Sequence, residues 1–380
     1  MMLLLFVLAL GVAIAFANGS NDVSKGVATL VGSGVCDLQR AIRWGVFWTG
    51  LGSLFSTVLA HAMLKTFGAG LFAAGERLSL AAALATIAGA TLWVALSSWR
   101  GWPVSTTHAI LGSIAGVGLL AYGVHGIRWS SFTSRLVLPL LLSPVVALVL
   151  TAIFVRFWSA ASPEGLDCLC VQLQEPAMAA AGVLTSSLEL AAVPFVQVAA
   201  CNETSAGGMR LSLNHLHWLT SAGTSFARGL NDSPKMVALL LAAAALGTAP
   251  KPAVWPFALA VASGIILGSW LAGKKVTLLL AHGVTRMNHR EGFVANLVTA
   301  GLVGPGAALG LPMSTTHVAA GAIMGLAFGQ GKAVERKVVL NILLAWVVTL
   351  PLAAAFGMAV FLALHTLAPH LIAYLSPGAR

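Results

Sequence analysis

At 380 residues, 58% hydrophobic and only 8% charged, with a mean hydropathy of +0.91, the chain has too few polar side chains to cover a soluble domain of this size. The net charge of +10 comes from basic residues scattered between apolar runs rather than gathered on one face, which excludes a nucleic-acid interface and fits loops on the cytoplasmic side of a bilayer. The alternation that a membrane β-barrel requires is missing, so the expected class is an all-α polytopic membrane protein.

In chain order, the first 17 residues contain no Lys or Arg and run straight into a polar cluster, so they read as the first half of a membrane helix and not as a cleaved signal peptide. The cluster is Phe16-Ala17-Asn18-Gly19-Ser20-Asn21-Asp22-Val23-Ser24-Lys25-Gly26-Val27-Ala28, and it recurs 210 residues later as Phe226-Ala227-Arg228-Gly229-Leu230-Asn231-Asp232-Ser233-Pro234-Lys235-Met236-Val237-Ala238. Both copies fit F-A-x-G-x-N-D-x-x-K-x-V-A. A Gly, an Asn, an Asp and a Lys within seven residues would be costly against lipid, so such a cluster is expected to serve a function.

After the first copy come a short loop at 32–43, an apolar run to about Leu64, a loop at 65–78 and the apolar stretch Ser79 to Ser98. That stretch breaks at Pro103-Val104-Ser105-Thr106-Thr107-His108 before hydrophobicity resumes through Tyr122. The second half repeats the pattern with Pro312-Met313-Ser314-Thr315-Thr316-His317, 209 residues further on. Asp22 and Ser105 are 83 residues apart and Asp232 and Ser314 are 82 apart, so both motifs belong to one duplicated unit. Residues 1–158 form a first membrane repeat and 212–380 a second. The intervening 159–211, which holds Cys168, Cys170, Cys201 and five acidic residues, reads as a cytoplasmic linker with reduced cysteines. Its C-x-C spacing is not that of a zinc site.

Basic residues set the orientation. Lys274, Lys275, Arg286 and Arg290 before the second P-M-S-T-T-H segment, and Lys332, Arg336 and Lys337 after it, place both its ends in the cytoplasm, which makes the segment a re-entrant helical hairpin. The equivalent loops of the first half are poor in basic residues and fit the opposite face. The fold expected is therefore two inverted-topology repeats, each with a broken motif helix and a re-entrant hairpin, three crossings per half and both termini outside. In that architecture a substrate site lies at the bilayer midplane.

Brought together there, Ser105, Thr106, Thr107, Ser314, Thr315 and Thr316 offer hydroxyl donors at half-helix N-termini that follow a proline, where unpaired N–H groups and the positive dipole end favour an oxyanion. Asn21 and Asn231 add amide donors, and Gly19 and Gly229 beside them would let the backbone unwind. Asp22 and Asp232 can accept a hydrogen bond from a protonated phosphate or arsenate, which sulfate at neutral pH cannot offer; alternatively they bind a coupling cation. Lys25 and Lys235 can pair with the aspartate one turn earlier, snorkel, or attract the anion. His108 and His317 read as braces of the hairpins and not as metal ligands, since no second ligand lies at i+4. A membrane phosphatase and an anion channel are the rival readings, but a catalytic site needs one nucleophile with one base, whereas here every polar motif is duplicated.

At these residues the chain resembles the inorganic phosphate transporter family, whose members carry a duplicated G-A-N-D-V-A-N-A type signature and a duplicated G-L-P-V-S-T-T-H. The matching stretches here are Gly19 to Val23, Gly229 to Asp232, Trp102 to His108 and Leu311 to His317. The resemblance implies uptake of inorganic phosphate coupled to sodium or protons, with no other cofactor. It also implies a multi-pass protein of the inner (cell) membrane, a possible homodimer, and a site built from the Asn-Asp helices and the hairpin tips. The chain departs from the family where Ser24-Lys25-Gly26 and Pro234-Lys235-Met236 replace A-N-A, and where Asn296 stands near a position at which relatives carry a carboxylate.

Overall fold

The computed structural model describes residues 2–68, 79–161, 168–173, 190–192, 209–246 and 252–366. Most of the 65–78 loop, the linker's five acidic residues and Cys201 lie outside the described residues. In the first half the helices are α1 (Met2–Asp22), α2 (Ser24–Gly32), α3 (Leu38–Leu59), α4 (His61–Gly68), α5 (Leu80–Arg100), α6 (Thr106–Tyr122), a short α7 (Trp129–Phe132) and α8 (Leu138–Ala161). In the second half they are α9 (Leu213–Ala245), α10 (Val254–Ala272), α11 (Lys274–His282), α12 (His289–Ala308), α13 (Thr315–Gln330) and α14 (Arg336–Thr366).

Five of the described helical stretches are long and apolar enough to cross a membrane. α8 and α14 carry outward-facing Leu141, Val145, Phe157, Leu344 and Val347 that only a lipid surface would accept in such density. The chain is thus a nearly all-helical, multi-pass membrane protein. One addition to the sequence reading lies in the linker, where β1 (Cys168–Leu173) pairs antiparallel with both β2 (Leu190–Ala192) and β3 (Met209–Ser212) in the order β2-β1-β3.

Helix starts follow from side-chain caps: Asp37 accepts from Arg40 N, Ser79 from Ala82 N, Ser105 from His108 N and Ser314 from His317 N. α5 and α13 end on glycines in the left-handed region, Gly101 at φ 78° and Gly331 at φ 64°, where a side chain would be strained.

Packing exchanges the two halves. α1 lies along α10 as α9 lies along α3; α2 meets α11 as α9 meets α4; α6 packs on α14 as α13 packs on α8. The exchange holds residue by residue. A side chain at Gly112 of α6 would lie 3.0 Å from the Leu350 carbonyl carbon, and one at Gly321 of α13, 209 residues on, 3.1 Å from that of Pro144.

The motif helices differ from expectation. α1 and α2 are separated only at Val23, whose φ −56° and ψ −32° remain helical, and α9 runs unbroken through Asn231 and Pro234. Gly19 and Gly229 do not unwind the chain. A Cβ at Gly19 would sit 2.8 Å from Ser269 N and one at Gly229 2.6 Å from Ser53 N, so these glycines admit the close crossings of α1 on α10 and of α9 on α3. The slight interruption at Val23 has a local cause, since the Asn21 carbonyl accepts from the Lys25 Nζ (2.7 Å) and from Ser24 Oγ (2.9 Å).

Candidate functional site

α1 and α9 carry their polar residues to the middle of the molecule, where the starts of α6 and α13 meet them. The two tips touch directly, with Ser314 Oγ donating to Ser105 Oγ at 2.9 Å. Asp22 lies at the centre. It pairs with Lys25 at 2.7 Å, accepts from Asn18 Nδ2 at 2.8 Å, and is approached by Thr106 Oγ1 and Thr316 Oγ1 at 3.4 Å each, one hydroxyl from each tip. Asp232 pairs with Lys235 at 3.3 Å and accepts from Asn231 Nδ2 at 2.8 Å and Asn18 Nδ2 at 3.3 Å. Lys235 crosses to the other half's tip, where its Nζ donates to Thr107 Oγ1 at 2.7 Å, and Thr316 Oγ1 crosses in the opposite sense to Val104 O at 2.9 Å. Thr315 is buried at the start of α13.

All these side chains are withdrawn from solvent: Asp22 is 1% exposed, Lys25 2%, Asp232 4% and Lys235 1%. Buried charge at this density is tolerated only when paired and hydrogen-bonded, and each lysine here has its carboxylate one turn away.

Asn21 and Asn231 hold their own tips. Asn21 donates to Trp102 O at 2.8 Å and accepts from Val104 N at 3.2 Å; Asn231 donates to Met313 O at 2.9 Å and accepts from Met313 N at 3.3 Å. The amide donors that sequence reasoning offered to an anion are therefore engaged with tip backbone in this arrangement. Ser105 and Ser314, likewise, cap the helices they begin. The hydroxyls that point at a carboxylate are those of Thr106 and Thr316, both toward Asp22.

The rings of His108 and His317 pack against each other at a tilt of 42° with centroids 4.3 Å apart, and His317 packs on Trp346 of α14 at 3.9 Å, which seats both tips against the surrounding helices. Asn296 is not in the central cluster. Its Nδ2 donates to Thr29 Oγ1 at 2.7 Å, and Thr29 Oγ1 also meets His217 Nε2 at 3.0 Å, forming a separate polar knot between α2, α9 and α12.

Two residues of the cluster escaped the sequence reading because they occupy the variable position of F-A-x-G. Asn18 bridges both aspartates and reaches Thr106 Oγ1 at 3.1 Å. Its counterpart, Arg228, is fully buried, and its Nη2 donates to Ser269 Oγ at 3.3 Å. The signal was available: both copies place a strongly polar residue one position before the packing glycine, in an otherwise apolar run.

A site with paired helix N-termini and convergent hydroxyls and carboxylates suits the binding and release of a small oxyanion. Comparison with known proteins agrees. Residues 18–357 match the phosphate transporter family. The chain is 27% identical over 411 residues to the inorganic phosphate transporter 2-1, chloroplastic, of Arabidopsis thaliana, covering 92% of this chain and 70% of that one. A solved structure described as the sodium-dependent phosphate transporter shares its fold with a TM-score of 0.73 at 23% identity, over 96% of this chain and 99% of that one. With the match running from the first Asn-Asp motif to α14, the chain belongs to the phosphate transporter family, a family of transporters and not of enzymes.

Proposed function

We propose that the protein is a secondary transporter that carries inorganic phosphate across the cell membrane together with a cation, by alternating access between two inverted repeats, 1–158 and 212–380. The observation that carries the reading is the convergence of both Ser-Thr-Thr tips and both Asn-Asp helices on one buried cluster, with each half contributing equivalent residues. The reciprocal packing of α1 on α10 and α9 on α3 supports the inverted arrangement. The basic loops around α11 and before α14 support a cytoplasmic placement for that face, with the linker on the same side.

Phosphate reads as the substrate because Asp22 sits among hydroxyl donors, with Asp232 joined to it through Asn18. The hydroxyls meet phosphate oxygens, and a carboxylate accepts the proton that phosphate retains near neutrality, whereas sulfate would bring only repulsion. Ser105, Thr106, Thr107, Ser314, Thr315 and Thr316 surround the anion in this reading, Asn21 and Asn231 fix the tips, and Asn18 sets the distance between the two carboxylates. The test is uptake of radiolabelled phosphate by the purified chain in sealed liposomes, with sodium and pH gradients imposed separately and excess sulfate as competitor. Accumulation against the phosphate gradient, resistant to sulfate, is expected. Strong competition by sulfate would remove the argument from the carboxylates, and purely downhill flux would make the protein a channel.

A further inference from the structure

Arg228 is the one residue of the central region whose charge has no partner of opposite sign in direct contact. Among the described residues the buried charged side chains are Asp22, Lys25, Arg228, Asp232, Lys235 and Glu291, and Glu291 belongs elsewhere, paired with Lys332. Lys25 and Lys235 neutralise Asp22 and Asp232. Arg228 is left over. Among the described residues its one hydrogen bond is that from Nη2 to Ser269 Oγ, whose own proton goes to Gly19 O at 3.2 Å, while its buried Nε and Nη1 have no partner there. A guanidinium is always charged, and burying one with two of its three nitrogens unmatched is costly unless an anion completes the set. Arg228 lies one turn before Asp232 and within electrostatic reach of both aspartates, so the anion it waits for is one that enters the same cluster.

We propose that Arg228 is an anion-binding residue of the transport site, and that the three fixed cations Lys25, Lys235 and Arg228 take the place of a co-transported sodium. The inference rests on the phosphate reading above. With three cations against two carboxylates, the cluster carries one surplus positive charge, which matches the singly charged dihydrogen form of phosphate. That form keeps a proton to donate to Asp22 or Asp232, so the coupling ion is a proton that travels on the substrate. The planar fork of Arg228 can meet two phosphate oxygens at once. The other titratable groups facing the cluster are His108 on α6 and His317 on α13, packed against each other. α10 contributes no titratable side chain. α3 turns Thr49 and Ser53 inward and carries its Arg40 and Arg43 at the exposed end.

The test uses the full chain, with sodium replaced throughout by N-methylglucamine. Wild-type liposomes are expected to take up phosphate equally well with and without sodium, faster at pH 6 than at pH 8 for the same total phosphate, and phosphate is expected to raise the melting temperature in sodium-free buffer. Arg228→Asn, which copies the residue of the first repeat, should raise the KM for phosphate about tenfold or more and abolish the phosphate-induced shift, and Arg228→Lys should recover part of both. Because the variant removes an uncompensated buried charge, its melting temperature without phosphate should be unchanged or higher; a merely structural arginine would give a lower one. Uptake or thermal stabilisation that requires sodium would overturn this inference alone, as would Arg228→Asn with an unaltered KM. No phosphate uptake or stabilisation under any gradient would overturn the transport reading along with it.

Discussion

The central carboxylates are not equivalent, and the difference is local. Asp22 holds Lys25 and Asn18 closely and faces a threonine from each tip, whereas Asp232 meets Lys235, Asn231 and Asn18 and no tip hydroxyl. Removing one member of a buried pair strands the other, at about 3–5 kcal/mol. Asp22→Asn should therefore lower both the yield of folded protein and its melting temperature, and abolish uptake. Asp22→Asn combined with Lys25→Gln should restore much of the thermal stability, because neither member of the pair is left without the other, and still fail to transport. If the double variant were as unstable as the single one, the ion pair would not be what Asp22 secures. At the membrane edge, Cys36 offers a different check. Partial burial and the neighbouring Asp37 push its thiol up to about 11, so little thiolate exists at neutral pH. In a background without Cys168, Cys170 and Cys201, maleimide labelling of Cys36 should be slow at pH 7 and accelerate continuously to pH 10. Rapid labelling at pH 7 would show the loop to be more open than the structure places it.

At the scale of elements, glycine contacts decide how closely the helices cross. A methyl at Gly19 or Gly229 meets backbone of α10 or α3, which cannot move aside, while one at Gly301 on α12 meets open space. Gly19→Ala and Gly229→Ala should each cost about 1–3 kcal/mol, and Gly301→Ala should be neutral or slightly stabilising, since alanine is the better helix former. Thermal melts in detergent would show the contrast, and equal melts for all three would remove the crossing argument. These same glycines mark where sequence reasoning stopped. The 83- and 82-residue spacings made the duplicated unit legible, and with it the meeting of Asp22, Asp232 and the Ser-Thr-Thr segments, because a repeat with apolar surroundings leaves few places for polar groups to go. A glycine beside Asn and Asp, by contrast, fits an unwound helix and a close crossing equally well, and only the position of α10 and α3 distinguishes them. Asn18 and Arg228 were hidden for a related reason: a repeat reveals what its copies share, and at this position the copies differ.

For the molecule as a whole, the contacts between halves suggest which bonds must exchange during a transport cycle. Ser105 to Ser314, Lys235 to Thr107 and Thr316 to Val104 each join a residue of one repeat to the tip of the other. If the repeats rock about the central cluster, the tips must part for phosphate to reach Thr106 and Thr316 from either side. The 2.9 Å between the two serine oxygens makes this testable, since cysteines there need only a modest approach to form a bond of about 2.05 Å. With Cys36, Cys168, Cys170 and Cys201 all replaced, Ser105→Cys with Ser314→Cys should cross-link under mild oxidation, lose phosphate uptake as the bond forms, and regain it on reduction. The uptake of each single variant, whatever its level, should be insensitive to oxidant, which separates the cross-link from the loss of a hydroxyl. A double variant that is fully oxidised and still transports would mean that the tips stay together through the cycle. The path of phosphate would then have to run along the α1 and α9 side of the cluster, past Asn18 and Arg228, and not between the hairpins.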